Sequence, residues 1–526
     1  MKTAKKWLVG LLAFGAVNLL GVSVSAKGDA QRFVMGTFSV PDLLDPSEAA
    51  DSTSISVMNG LYEGLVRMNE SGQVVPGMAK SWKVSSDGTT YTFVLRSNAR
   101  WSNKQPVKAS DFEYAWKNSL APSASKGLDY DLFVIANAEA YHAGKVKDAA
   151  KVGVKALNDY TLQVKLKEPA AYFPRMLTLP IFDPIYAPTA KANAHWAEKL
   201  ETMVTNGPFK LKAWNGQGIL LAKNNDYYDA GSIRFSEVQF LPSAGLSLES
   251  RYLKGQTDWI NGSAWNVSNA SDMQILEKDS YHLPSRSTYY YQVNMKKKPF
   301  TNVNIRKALA MAISRKDLGH GKPATGFIPY GLPGAKKDYR DEVADGYFAE
   351  DREAAKKLLA KGLQEEGLKK LPEITIISIA GVHEEIGQRI IEQWKTNLGI
   401  QAKIEVQEWG VLLKNREHLN FDIARAGWGA DYADPATFLE YFASWSPNND
   451  SGWKSIAYDA ILKQAKKTND IAARTKLYAK AEKLLMDNMV IIPLYYYVTD
   501  IIHKTNLKHV YLDNFDSVSF TRGYFE

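Results

Sequence analysis

The sequence predicts an α/β protein of mixed strand order, and three observations carry that expectation. Residues 373–379 read as a strand, 384–398 as a helix and 400–406 as a second strand, a βαβ unit that requires a parallel strand pair. Ser86-Asp87-Gly88 and Asn158-Asp159 read as hairpin turns, so antiparallel strands accompany the parallel ones. No internal repeat and no low-complexity linker divides the chain, which excludes a solenoid or an array of tethered modules.

Taken in order, residues 32–38 read as a first strand, and 54–62 have helical spacing through Ile55, Met58 and Leu61. Tyr91, Phe93 and Leu95 alternate as a half-buried strand, and Ser110 is the expected N-cap of a helix over 111–120. The organisation shifts near Pro184 and Pro188, beyond which Val204-Thr205-Asn206-Gly207-Pro208-Phe209 and strands around Leu220 and Val238 suggest a new sheet. Tyr289-Tyr290-Tyr291 stands in a strand setting, where alternation sends Tyr290 to one face and its neighbours to the other. Asn302 or Asn304 can cap the helix carrying Ile305, Leu309, Ala312 and Ile313. Residues 471–489 form a long amphipathic helix, and 491–498 a strand broken by Pro493.

The chain has 526 residues, 45% of them hydrophobic and 23% charged, ordinary for a folded protein with sizeable cores. Lys2, Lys5 and Lys6 precede an apolar run over 7–20 and the small residues Val24-Ser25-Ala26, the pattern of a signal peptide (1–26) cleaved after Ala26. Lys27 then stands where a lipid-anchored protein needs a cysteine, so the expected product is exported and not lipid-anchored, in the periplasm or at the cell surface. The absence of cysteine removes disulfides, zinc–thiolate sites and thiol catalysis together. A net charge of +8 is spread over Lys296 to Lys298, Lys369-Lys370 and Lys466-Lys467, which read as a solvated lysine-rich surface rather than one nucleic-acid face. Peripheral attraction to anionic wall polymers or lipid headgroups stays open to an exported basic chain.

Catalytic signatures are missing: there is no G-x-S-x-G, P-loop or H-E-x-x-H, and the eight histidines are scattered singly. No enzyme activity, metal or cofactor is expected. Trp, Tyr and Phe make up 11% of the chain; most are expected to pack in cores, and the rest could line a binding cleft. The most informative stretch is FDIARAGWGADYADP, residues 421–435: an apolar run ends in Gly427 and Gly429, and a loop then presents Trp428 and Asp431. Asp431 is the candidate ligand contact; a turn aspartate bonded to its own backbone is the other reading.

That stretch, together with GLYEGLV, VPGMAKSW, SSDGTTYTFVLRSNARWSNKQPVKASDFEYAW, VTNGPFKL, TYYYQVN and PFTNVNIRKALAMAISRK, resembles the extracytoplasmic oligopeptide-binding proteins of ABC peptide importers. The resemblance runs from about Arg32 to Val498 in order and spacing. It implies a two-lobed, periplasmic-binding-protein-like clamp with an additional third domain and mixed sheets. Lobe I would comprise 27–62, 187–286 and 499–526, the extra domain 63–186, and lobe III 287–498. It further implies that an extended oligopeptide is held by main-chain hydrogen bonds between the lobes, that the protein acts as a monomer, and that it delivers the peptide to the permease subunits of an ABC transporter. Asp431 falls on the position that binds the peptide amino terminus, and Arg425 and His383 on positions that contact its carboxylate. Tyr290, Trp428, Gly427, Gly429, Ser52 and Gln292 fall on peptide-contacting positions. Ala50 and Gln292 stand where acidic side chains are expected, which implies a weaker preference for basic peptides. A receptor for a cell-wall peptide, a pheromone or a metal chelate remains an alternative, as does a basic secreted adhesin.

Overall fold

Two long strands, Ser280–Val293 and Ile491–His503, form the spine of the main sheet and pair antiparallel along most of their lengths. The computed structural model describes residues 31–49, 51–122, 129–262, 266–319, 321–513 and 516–526; the expected signal peptide and Ala50 lie outside them. Ladder pairing runs from Ser280–Ile502 to Pro284–Val498, breaks, and resumes from Thr288–Tyr496 to Gln292–Ile491. The break falls at residues 285–287, where Arg286 adopts a left-handed φ of 43° and its guanidinium is tied to Gly331 O and Asp516.

One half of the sheet is built on each side of that break. Beside the Thr288–Gln292 half lie Ile423–Gly429 (antiparallel), then Ile374–Ser378 and Ala402–Val406, joined in parallel through the helix Val382–Leu398. The expected βαβ unit is thus present and sits at the sheet's outer edge. On the other side, Trp259–Asn261 pairs with Ile501 to His503, followed by Gln31–Thr37, Phe235–Pro242, Gly218–Lys223 and Phe209–Asn215. Residues 79–165 carry a separate antiparallel sheet, Ala79–Val84, Thr90–Leu95, Thr161–Lys165 and Val154–Asn158 in spatial order.

Two of the conspicuous motifs meet as scaffold. Asn206 of VTNGPFKL accepts the Glu63 N–H and donates to Glu63 O, while the Gly207 N–H donates to Leu61 O, clasping GLYEGLV. A Cβ on Gly207 would lie 2.5 Å from the Leu61 carbonyl carbon, so the close approach of the two backbones requires glycine there.

Some local readings are corrected. The helix expected from Asp111 begins at Ala109, and Asp111 instead closes its first turn by accepting the Lys108 N–H and the Trp101 indole N–H. Asn302, not Asn304, caps its helix. Pro493 does not break its strand: it faces Tyr290 at a register shift, where a missing N–H interrupts no regular ladder bond. Lys466 is not solvated surface. It is buried and bonded to Glu168 and Glu440, 2.8 and 3.1 Å away.

In the half containing the Thr288–Gln292 ladder, Arg340 and Glu482 form an ion pair with both side chains fully buried. Glu482 also accepts the Phe327 and Ile328 N–H groups and the hydroxyls of Tyr339 and Tyr347. Removing one partner of such a pair strands the other charge out of water, at a cost of about 3–5 kcal/mol. Glu482→Gln is therefore expected to lower the urea midpoint clearly, and adding Arg340→Met to recover part of the loss; an unchanged midpoint in the single variant would refute this account.

Candidate ligand-binding site

The strand Ile423–Gly429 is flanked on one side by Ser287 to Val293 along its whole length, but on the other only Ile423 and Ala424 pair with a neighbour. From Arg425 to Gly429 its second edge is free of any strand among the described residues. Such an edge offers unpaired N–H and C=O groups to an incoming extended chain. Gly427 and Gly429 lie on it and keep side chains out of the way.

Alternation fixes which side chains accompany the edge. Arg425, Gly427 and Gly429 share a sheet face with their cross-strand partners Tyr291, Tyr289 and Ser287. There the Arg425 guanidinium lies over the rings of Tyr289 and Trp409, 5.2 and 5.5 Å from their centroids. It also stands 3.4 Å from His383 Nε2. His383 stacks on Tyr289 at 5.4 Å, and Tyr289 on Tyr495 at 4.8 Å. An arginine can only donate, so Nε2 is the acceptor in this contact, and Nδ1 faces the Tyr289 hydroxyl at 3.3 Å. His383 in this arrangement orients the guanidinium. Among the described residues the contacts of the Arg425 guanidinium are these rings and His383, with no carboxylate paired to it.

Ala426 and Trp428 occupy the other face with Tyr290. Trp428 packs edge-on against Tyr441, with centroids 4.6 Å apart, and its indole N–H donates to Thr437 O. It walls a cavity of about 290 Å³ whose lining also includes Tyr130, Asp131, Tyr172, Thr437 and Asp431. Among the described residues the Asp431 carboxylate is held only by a long contact from the Thr437 hydroxyl, 3.4 Å, and not by its own backbone. Burial pushes its pKa up to about 6, with the Thr437 bond opposing the shift. Three residues on, Asp434 is fully buried and consumed by Arg175, Arg474 and the Ala436 N–H. One aspartate of DYADP is therefore structural, and the other is uncommitted.

Two expected contacts are corrected. Tyr290 and Gln292 have no exposed surface. Both lie on the strand face that Phe327 and Phe442 cover, with the Tyr290 ring 5.3 and 6.4 Å from theirs, so Tyr290 is core and Gln292 is sealed in beside it. Trp428 does not stand between Arg425 and Asp431 but belongs to the Asp431 side alone. Ser52 opens the helix Ser52–Leu61 in the other half of the molecule and belongs to neither group. The sequence reading missed Tyr289, Tyr495 and Trp409 around Arg425, and Asp131 and Tyr441 around Asp431. Tyr289 was visible in the tyrosine run; the others carry no local signal.

A family model described as bacterial extracellular solute-binding proteins, family 5 middle, matches residues 73–450. The oligopeptide-binding protein OppA of Bacillus subtilis is 35% identical over 550 residues, covering 99% of this chain and 100% of the relative. A solved MppA periplasmic murein tripeptide binding protein, in an unliganded open form, superposes with a TM-score of 0.82 at 30% identity, covering 94% of this chain and 98% of that one. Listeria monocytogenes OppA bound to peptide gives 0.66 at 28% identity, covering 94% and 99%. The two sheet halves with their separate insert form a two-lobed clamp with an additional domain. The chain belongs to the family 5 bacterial extracellular solute-binding proteins.

Proposed function

We propose that this protein captures extended oligopeptides between its lobes, as a monomer outside the cytoplasm, and delivers them to the permease of an ABC transporter. One observation carries the reading: a free strand edge is flanked by an uncommitted cation, Arg425, and an uncommitted anion, Asp431. A zwitterionic chain laid along that edge finds main-chain partners throughout and an opposite charge for each end. Because backbone groups supply most of the contact, side-chain identity matters little. Arg425 to Gly429 advances roughly 13 Å at the rise of an extended strand, which suits ligands of roughly three to five residues. The register break at residues 285–287 is the proposed hinge, dividing lobe I (27–62, 187–286, 499–526) from lobe III (287–498), with 63–186 as the extra domain. The B. subtilis and L. monocytogenes relatives, named as oligopeptide-binding or peptide-bound, support the choice of ligand. Export by a cleaved signal peptide without a lipid anchor completes the proposal.

Peptides released by denaturing the purified protein, sized by mass spectrometry, test the function directly; a narrow length class is expected, and none at all would refute it. An ammonium about 4 Å from Asp431 is attracted by roughly 4 kcal/mol at an effective dielectric near 20, before desolvation. Asp431→Asn is thus expected to weaken tetra-alanine binding by about a hundredfold, and N-acetylation of the peptide to do the same without further loss in the variant. Asp431 must be ionised to act, and its pKa is raised to about 6, so affinity is expected to fall as pH drops through 6. Calorimetric titration across that range checks the sign.

A further inference from the structure

The cavity that holds Asp431 has a second carboxylate that the reading above does not use. Asp131, in the short helical turn Asp129–Val134 of the 63–186 insert, lines the same space and is 6% exposed. Among the described residues it accepts no hydrogen bond and pairs with no cation. Asp129, two residues away, does have a partner, His142 at 3.3 Å.

The charges around this space do not balance. Its lining includes Asp131, Asp431, Glu168 and Glu440 against only Lys167 and Lys466. Lys466 is already shared between Glu168 and Glu440, and Lys167 points to Glu139, 3.8 Å away. Tyr130, Tyr172, Tyr441 and Trp445 are among the remaining wall residues, none of which carries positive charge. Among the described residues, then, two buried carboxylates face a space with no uncommitted cation. Their titration fits this geometry. Asp131 is pushed up to about 8, by burial first, then by the charges of Asp431 and Asp129; Asp431 rises to about 6 through burial.

We propose that Asp131 is a second anion of the ammonium site, so that the ligand's amino terminus binds between Asp131 and Asp431 and drives a proton off Asp131 as it enters. The inference rests on the peptide reading above. Free at neutral pH, the pair holds one proton and one charge, and the empty site avoids two adjacent buried anions. With the ammonium in place both carboxylates ionise: the proton leaves Asp131 for solvent, and the ligand nitrogen keeps its three protons. Specificity follows, because a ligand end that cannot present a full ammonium leaves the site with one carboxylate neutral and unpartnered.

The test is calorimetric titration of the full-length mature protein with tri-, tetra- and penta-alanine at pH 7, in phosphate and in Tris, whose ionisation enthalpies differ widely. With an α-amine of ordinary pKa near 8, the wild type is expected to release roughly 0.9 proton per peptide bound, almost all from Asp131. Asp131→Asn, isosteric and checked for an unchanged thermal midpoint, is expected to release almost none and to bind about tenfold more weakly. It should retain the affinity change near pH 6 that belongs to Asp431. Heats that do not depend on buffer in the wild type, or a variant with wild-type affinity and proton release, overturn this inference and leave the peptide reading standing. No heat with any of the three peptides overturns both.

Discussion

The pairing of Ser280–Val293 with Ile491–His503 is the constraint on which the rest of the molecule depends. Each strand contributes to both halves of the main sheet, and their ladder skips residues only at 285–287, apart from the one register shift at Tyr290 that Pro493 faces. Because Ile423–Gly429 is registered directly on Ser280–Val293, the position of its free edge follows from that ladder. The stack of Tyr289 between Tyr495 and His383, which positions Arg425, is likewise a cross-strand consequence of it. A movement about the break would therefore carry the edge and its cation as a unit toward the half built on Gln31–Thr37, without disturbing their mutual geometry.

The insert contributes more than bulk. Arg175 reaches Asp434 at 2.9 Å, Glu168 holds Lys466, and Tyr172 stacks on Tyr432 with centroids 4.9 Å apart. Each contact joins residues 63–186 to the segment that carries Asp431. The loop after the strand is thus braced from outside its own lobe, and its two aspartates divide the work. Asp434 is spent on that bracing, which keeps Asp431 in place without neutralising it.

How much of this was legible in the sequence depended on the range of the interaction. The turn at Ser86-Asp87-Gly88, the Asn302 cap and the βαβ unit are set by neighbours within a few residues and were readable. Alternation correctly separated Tyr290 from Tyr289 and Tyr291 but could not say which face would be covered, since Phe327 and Phe442 arrive from distant segments. Pro493 looked like a strand breaker because its own residue type argues so; the tolerance comes from a register shift on the partner strand. Lys466 looked solvated because the carboxylate that buries it, Glu168, is 298 residues away. Asp131 gave no signal for the same reason: nothing near it in sequence marks it, and its meaning comes from Asp431.

Net charge and local charge point in opposite directions here. The chain is basic overall, at +8, yet the cavity around Asp431 is acidic, and its lysines are already paired. Long-range attraction for anionic surfaces is screened within about 8–10 Å at ordinary salt. Inside the cavity, where water is scarce, that distant surplus counts for little beside two carboxylates that have no counter-ion among the described residues. At the other end of the strand the imbalance is reversed: Arg425 lies against tyrosine and tryptophan faces, which favour the cation without cancelling it, and beside the His383 imidazole. In the proposed reading, the site gains its selectivity because each pole is left unfinished. A zwitterionic chain completes both poles at once, whereas a simple anion or cation would complete only one.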